Sequence, residues 1–356
     1  MNRIVAVAIM LLLAMPTLVH AQGAGIEWDI LNKESGRLYR QGKYNRAVLV
    51  AQKALEVAEA NAGPDHLDVA VSLNNLAVLY AAQGDNAKAE SLYQRSLAIS
   101  EKALGPDHLD VANSLNNLAL IYSTQGDYAK AEPLSKRSLA IFEKALGSDH
   151  PNVATSLNNL AELYSFQGDY AKAEPLFKRS LAILEKALGP DHPDVAYSLN
   201  SLAGIFYARD DYAKAEPLLK RSLAIREKAL GLDHPNVATS LNSLALIYSA
   251  QGDNAKAKSF YQRSLVIREK ALGPDHPDVA NSLNSLALIY SAQGDYAKAE
   301  PLSKRSLVIR EKALGPDHPD VAKSLNSLAE LYRATKRDKE AMELEKRAGR
   351  IQGTKR

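Results

Sequence analysis

Cysteine is absent from all 356 residues. That removes disulfide staples, thiolate metal sites, a cysteine nucleophile and a lipid-modified N-terminal cysteine at once, and it suits an oxidising compartment. Excess charge of one sign is also missing. The net charge of +3 is too small for a nucleic-acid surface, which needs a concentrated basic stripe with base-stacking aromatics. There is no glycine-rich phosphate loop, and no second long apolar run follows the first. That first run, Ile4 to Met15, is shorter than the roughly 20 residues that span a bilayer. With Met1-Asn2-Arg3 before it, Pro16 after it and Val19-His20-Ala21 beyond, residues 1–21 read as a secretory signal peptide cleaved after Ala21. The expectation is an exported protein, periplasmic or secreted, with no integral membrane segment after cleavage. Hydrophobic residues at 46% and charged residues at 24% give the balance of a folded chain rather than a disordered one.

What the sequence does have is repetition. The block Asp110–Pro151 differs from the block Asp278–Pro319 only at Asn117/Ser285, Thr124/Ala292, Ala140/Val308, Phe142/Arg310 and Ser148/Pro316. His66, His108, His150, His192, His234, His276 and His318 fall 42 residues apart. A fixed period of this length means a stack whose units bury their apolar faces against one another. Residues 22–356 are therefore read as one solenoid: a diverged N-terminal capping unit over 26–64, six regular units over 68–315, and a C-terminal capping unit over 320–350.

Each unit reads as two helices. Asp110 stands where an N-cap belongs, and Val111, Leu115, Leu118, Ala119 and Tyr122 form one helical stripe, helix A. Gln125-Gly126-Asp127 stops it, with glycine free to take the left-handed conformation and aspartate placed to cap the next helix. Helix B runs from Tyr128 to about Leu146 with Ala131, Leu134, Ser138, Ile141 and Ala145 as its buried stripe. Small residues such as Ala119, Ala131 and Ser138 let two helices approach closely. Pro133, Pro175, Pro217 and Pro301 lie inside helix B, where a lost backbone bond is expected to curve it. The linker Leu-Gly-x-Asp-His-Pro ends one unit and opens the next, with Asp194 read as beginning its helix.

The run Leu-Asn-x-Leu-Ala-x-x-Tyr, then Gly-Asp-Tyr-x-x-Ala, then a small residue in mid-helix B resembles the tetratricopeptide repeat. Ala77, Tyr80, Gly84, Ala89 and Ser96 match its small, aromatic, turn and packing positions. The 42-residue length and the linker resemble the kinesin light chain type in particular, although no heptad region accompanies them. The resemblance implies an all-α, right-handed superhelical solenoid of antiparallel helix pairs. It implies a concave groove, lined by A helices, that binds a protein or extended peptide, and no enzyme activity. Helix A from Asp110 to Thr124 contains no Lys or Arg, so the cationic clamp by which some members hold a carboxylate is expected to be missing.

Catalysis needs a nucleophile, a base and an orienting group in one place, whereas Ser, His and Asp here recur periodically with turn or packing duties. The histidines of successive linkers stand too far apart to share a metal ion, and each has only an adjacent aspartate. No metal, cofactor or nucleic acid is expected. The strongest candidates for binding are the asparagines Asn74, Asn116, Asn158, Asn200, Asn242, Asn284 and Asn326, one per A helix, each following a buried leucine. An amide both donates and accepts, so it suits an extended backbone, and it equally suits bonds that hold the stack. Glu162, Phe166, Tyr197, Gly204 and Tyr207 depart from the repeat in the fourth and fifth units and are read as a specificity pocket. The alternative function is a structural or assembly scaffold that self-associates or acts through its convex, charged face.

Overall fold

The computed structural model describes residues 24–353, so residues 1–21, which carry the signal-peptide reading, lie outside the described residues. Among the described residues there are sixteen α-helices and no strand. They alternate as A and B helices in eight pairs. The first four pairs are α1 (Ala24–Arg40) with α2 (Tyr44–Ala62), α3 (Leu67–Ala82) with α4 (Asn86–Leu104), α5 (Leu109–Gln125) with α6 (Tyr128–Leu146), and α7 (Pro151–Gln167) with α8 (Tyr170–Leu188). The next four are α9 (Pro193–Ala208) with α10 (Tyr212–Leu230), α11 (Pro235–Ala250) with α12 (Asn254–Leu272), α13 (Pro277–Ala292) with α14 (Tyr296–Leu314), and α15 (Pro319–Ala334) with α16 (Asp338–Gly353).

The helix ends follow from local chemistry, with one correction. Asp127 caps α6 as expected, its carboxylate accepting from the Lys130 amide, and Gly126 closes α5 at φ 83 and ψ 6. The A helices, however, begin one or more residues earlier than Asp110 and Asp194. Their N-cap is the linker histidine: His108 Nδ1 accepts from the Asp110 amide at 3.2 Å, and His192 from that of Asp194 at 3.2 Å. Proline at the first helical position, as at Pro193, needs no amide partner and already has a helical φ. The cap must then be the residue before it. Asp210 and Lys336, which replace the turn glycine in the fifth and eighth units, are forced to φ 58 and 61.

Packing fixes the rest. Val111, Leu115, Leu118, Ala119 and Tyr122 are buried as the stripe required. On α6 the stripe is Ala131, Ser135, Ser138, Ile141 and Phe142, while Leu134 is only partly buried and Ala145 is exposed. At 100° per residue Ala145 returns to within about 20° of the face of Ser138, so its exposure comes from the end of the helix running past the core and not from its phase on the stripe. Pro133 and its counterparts lie in unbroken helices. At the crossing of each of the six regular pairs the serine of helix B donates to a helix A carbonyl, as Ser138 to Ala112 at 2.7 Å and Ser180 to Ala154 at 2.8 Å. A longer side chain there would separate the helices. Helix B also packs on the next helix A, and successive A helices approach one another more closely than successive B helices, which places A on the inner side of the curve.

The curve is tight enough for one superhelical turn to meet the next. Gly42, in the first A–B turn, lies against His276 and Pro277, and Gly84 against His318 and Pro319. Both contacts join residues 234 positions apart, about five and a half repeats. His276 and His318 are accordingly buried, whereas the capping histidines His66, His108 and His192 remain 40–50% exposed.

Candidate functional site

The inner face is built from A-helix positions spaced three and four residues apart, which one helical stripe brings into line. The asparagine ladder runs down this face, and three of its amides bond a neighbouring A helix. Asn74 accepts from Asn117 at 3.1 Å, Asn158 donates to Ser198 at 2.9 Å, and Asn200 donates to Ser243 at 3.2 Å. The stack-bonding duty is therefore present. It does not use up the amides, since Oδ1 of Asn116, Asn158, Asn200 and Asn242 is buried with no hydrogen-bond partner among the described residues. Asn284 and Asn326 are half-buried further along the same line.

Of the five residues read as a pocket, the structure joins Tyr197 and Glu162 directly. Tyr197 donates to Glu162 Oε1 at 2.6 Å across successive A helices. Burial raises the Glu162 carboxyl above its ordinary pKa, and the hydroxyls of Tyr197 and Ser201 partly offset the rise. Burial and the facing Glu162 push the Tyr197 phenol well up. Phe166 stands one helical turn beyond Glu162 and is partly buried. Gly204 is exposed, and a Cβ there would touch nothing within 4 Å, so the bulk of Leu120 and Leu246 is missing at that level. Tyr207 stands apart from this pair. It lies ten residues, about 15 Å, along the helix from Tyr197, and its ring packs at 5.8 Å against Tyr212 at the A–B turn, with Tyr212 bonded to Asp210. The order of residues along the chain shows departures from the repeat, but which ends of neighbouring helices adjoin depends on how the units are staggered.

A cationic feature of this wall was missed in the sequence because it comes from helix B. Arg226, Arg268 and Arg310 are buried, and each donates to the first turn of the following A helix. Arg310 also reaches Asn281, an exposed residue of the inner face, at 2.8 Å. Helix A itself indeed supplies no cation over Asp110–Thr124, yet the wall is not free of them. The signal was the change of Phe142 to Arg310 between otherwise matching blocks. No cluster of three or more metal-ligating side chains occurs among the described residues.

The tetratricopeptide-repeat family pattern matches seven overlapping segments, 34–102, 72–144, 110–186, 167–228, 194–270, 236–307 and 283–352. No curated protein matches the chain. Among solved structures, a Podosopora anserina protein described as a kinesin light chain with nearly identical TPR-like repeats is 31% identical. That match covers 58% of this chain and 97% of the other at a TM-score of 0.47. The quorum sensor NprR from B. thuringiensis, in its apo form, is 14% identical with a TM-score of 0.61, covering 94% and 89%. A Rap protein complexed with Competence and Sporulation Factor is 16% identical with a TM-score of 0.59, covering 93% and 99%. The last two likenesses are of fold.

Proposed function

The chain belongs to the tetratricopeptide-repeat family, and from that premise we propose that it is a non-enzymatic scaffold holding a protein or an extended peptide against the surface of its A helices. The observation that carries the reading is the row of buried amide oxygens on Asn116, Asn158, Asn200 and Asn242 without a partner. A buried acceptor left unbonded costs about 1–3 kcal/mol. Four of them on one face, in successive repeats, are a destabilisation that the N–H groups of a bound backbone offset once the amides turn toward it. Tyr197 and Glu162, with the open space over Gly204, add selectivity in the middle of the face.

The convex face supports the alternative less well, because its charges are already paired within the chain. Arg137 with Glu101, Arg179 with Glu143 and Arg221 with Glu185 link successive B helices at 2.6–2.7 Å. The apolar run at Ile4–Met15 supports export, with the mature chain beginning at Gln22.

The exported protein, its mass checked for a start at Gln22, is immobilised and offered a library of extended peptides. Ligands are expected to bind the native chain and to lose at least about tenfold in affinity on the Asn158→Ala/Asn200→Ala double variant, with helical circular dichroism unchanged. Undiminished binding by that variant removes the inner face as the site.

A further inference from the structure

At one buried place in helix B the character of the repeat changes midway along the solenoid. Ser100, Phe142 and Leu184 occupy it in α4, α6 and α8, and Arg226, Arg268 and Arg310 in α10, α12 and α14. The arginines are only 5%, 7% and 7% exposed. Each uses Nη1 to hold a serine hydroxyl and a main-chain carbonyl of the next A helix. Arg226 reaches Ser240 at 2.8 Å and Asn236 at 3.1 Å, and Arg268 reaches Ser282 at 2.9 Å and Asp278 at 3.1 Å. The other edge of the Arg226 guanidinium has no bond among the described residues, with Tyr197 of the inner face near it, whereas Nη2 of Arg310 already donates to Asn281 at 2.8 Å. Asp278 and Asp320 act on Arg268 and Arg310 from beyond ion-pair distance, and at Arg226 the matching residue is the uncharged Asn236. Asp278 and Asp320 offset part of the cost of burial at Arg268 and Arg310, whereas Arg226 is a buried cation on which no carboxylate acts, a state strongly disfavoured without a partner from outside the chain.

We infer that Arg226, Arg268 and Arg310 form an anion ladder, reached between successive A helices, that takes carboxylate side chains of an acidic extended segment. This rests on the inner-face reading above. A guanidinium offers a planar fork that matches a carboxylate, and Nη1 anchoring by serine presets its orientation. Each guanidinium sits at the first turn of the following A helix, so with neighbouring helices about 8–10 Å apart and an extended chain advancing about 3.3 Å per residue the matching segment has Asp or Glu at about every third residue. Burial holds the Arg226 pKa down to about 10, still charged at neutral pH.

Leucine at the same place in α8 shows that an apolar side chain fits there. The triple variant Arg226→Leu/Arg268→Leu/Arg310→Leu therefore separates recognition from folding. Labelled peptides of repeating Ser-Gly-Asp, Ser-Gly-Asn and Ser-Gly-Lys are titrated by fluorescence anisotropy, with inorganic phosphate as a separate probe. The expected result is that the Asp peptide binds at least about tenfold more tightly than the Asn peptide and that salt weakens it. The triple variant loses that preference while its melting temperature stays the same or rises. Should the triple variant not fold, Arg226→Leu alone carries the same comparison. Retention of the Asp preference by the variant, or equal binding of the Lys peptide, overturns the ladder. So does binding of phosphate without the Asp peptide. If the Asn peptide binds native and Leu variants alike and only Asn158→Ala/Asn200→Ala weakens it, the ladder falls and the inner-face reading stands. If none of the peptides binds, the ladder is overturned, and the inner-face reading is decided by the library experiment.

Discussion

At the scale of single residues, the repeat leaves each side chain with a definite local duty. The linker histidine is a helix cap, not a ligand: its Nδ1 satisfies an amide that a helix start leaves unbonded. The turn glycine permits a left-handed backbone, and two units do without it. Lys336 sits at φ 61, a conformation that costs a side chain about 1 kcal/mol relative to glycine. Lys336→Gly is expected to stabilise the C-terminal unit by about 1 kcal/mol, read as a higher urea midpoint. No gain would mean that contacts of Lys336 compensate the strain. Asp210 at φ 58 is less suited to the same test, because its carboxylate accepts from Tyr212.

At the scale of the helix pair, stability rests on how closely A and B approach. Ser180 is fully buried, bonds the Ala154 carbonyl and lies 3.3 Å from the Ser198 hydroxyl. Ser180→Ala keeps the approach and removes one hydrogen bond, with an expected loss of about 1 kcal/mol. Ser180→Leu forces the pair apart and is expected to cost about 1–3 kcal/mol or more. Chemical denaturation of the two variants checks the order, and a leucine variant as stable as the alanine one would show that the crossing tolerates bulk. Because a stack couples each unit mainly to its neighbours, the damage should stay near the fourth and fifth units. The exposed Arg–Glu pairs between B helices add little, on the order of 0–1 kcal/mol each.

At the scale of the whole molecule, the feature that no single repeat contains is the seam where one turn meets the next. At Gly42 a Cβ would come within 2.7 Å of Pro277 and 2.9 Å of His276, so Gly42→Ala should open the seam. A larger radius of gyration in small-angle scattering checks this, and an unchanged radius would show that the seam does not hold the turns together. Protonation acts on the same place. Burial lowers the His276 pKa below its usual 6.5, with Arg268 adding to the effect and Asp278 and the Arg40 main chain opposing it; Tyr39 and Tyr44 face Asp278 from the other turn. A group with a depressed histidine pKa binds its proton more weakly in the closed form. The seam is thus fully favoured above about pH 6.5 and weakens as pH falls from there toward the lowered pKa. Scattering at pH 7.5 and pH 5.5 should show expansion at the lower value, reduced in His276→Gln; equal expansion in that variant would assign it to other groups.

The sequence by itself determined the unit. Apolar spacing, turn residues and a 42-residue period suffice to specify helix pairs, their order and their caps in outline, since these depend on neighbours along the chain. It misplaced the start of helix A because aspartate is the commoner cap, though proline at the first helical position already pointed to histidine. It also counted Ala145 in the stripe, because periodicity alone does not say where a helix end leaves the core. Only the tertiary structure decided which departures from the repeat adjoin, that Tyr207 stands apart from Tyr197 and Glu162, that helix B arginines border the inner face, and that Gly42 meets Pro277. Those contacts depend on the small rotation between units. Summed over five and a half repeats, it brings together residues 234 positions apart, which no local pattern can report.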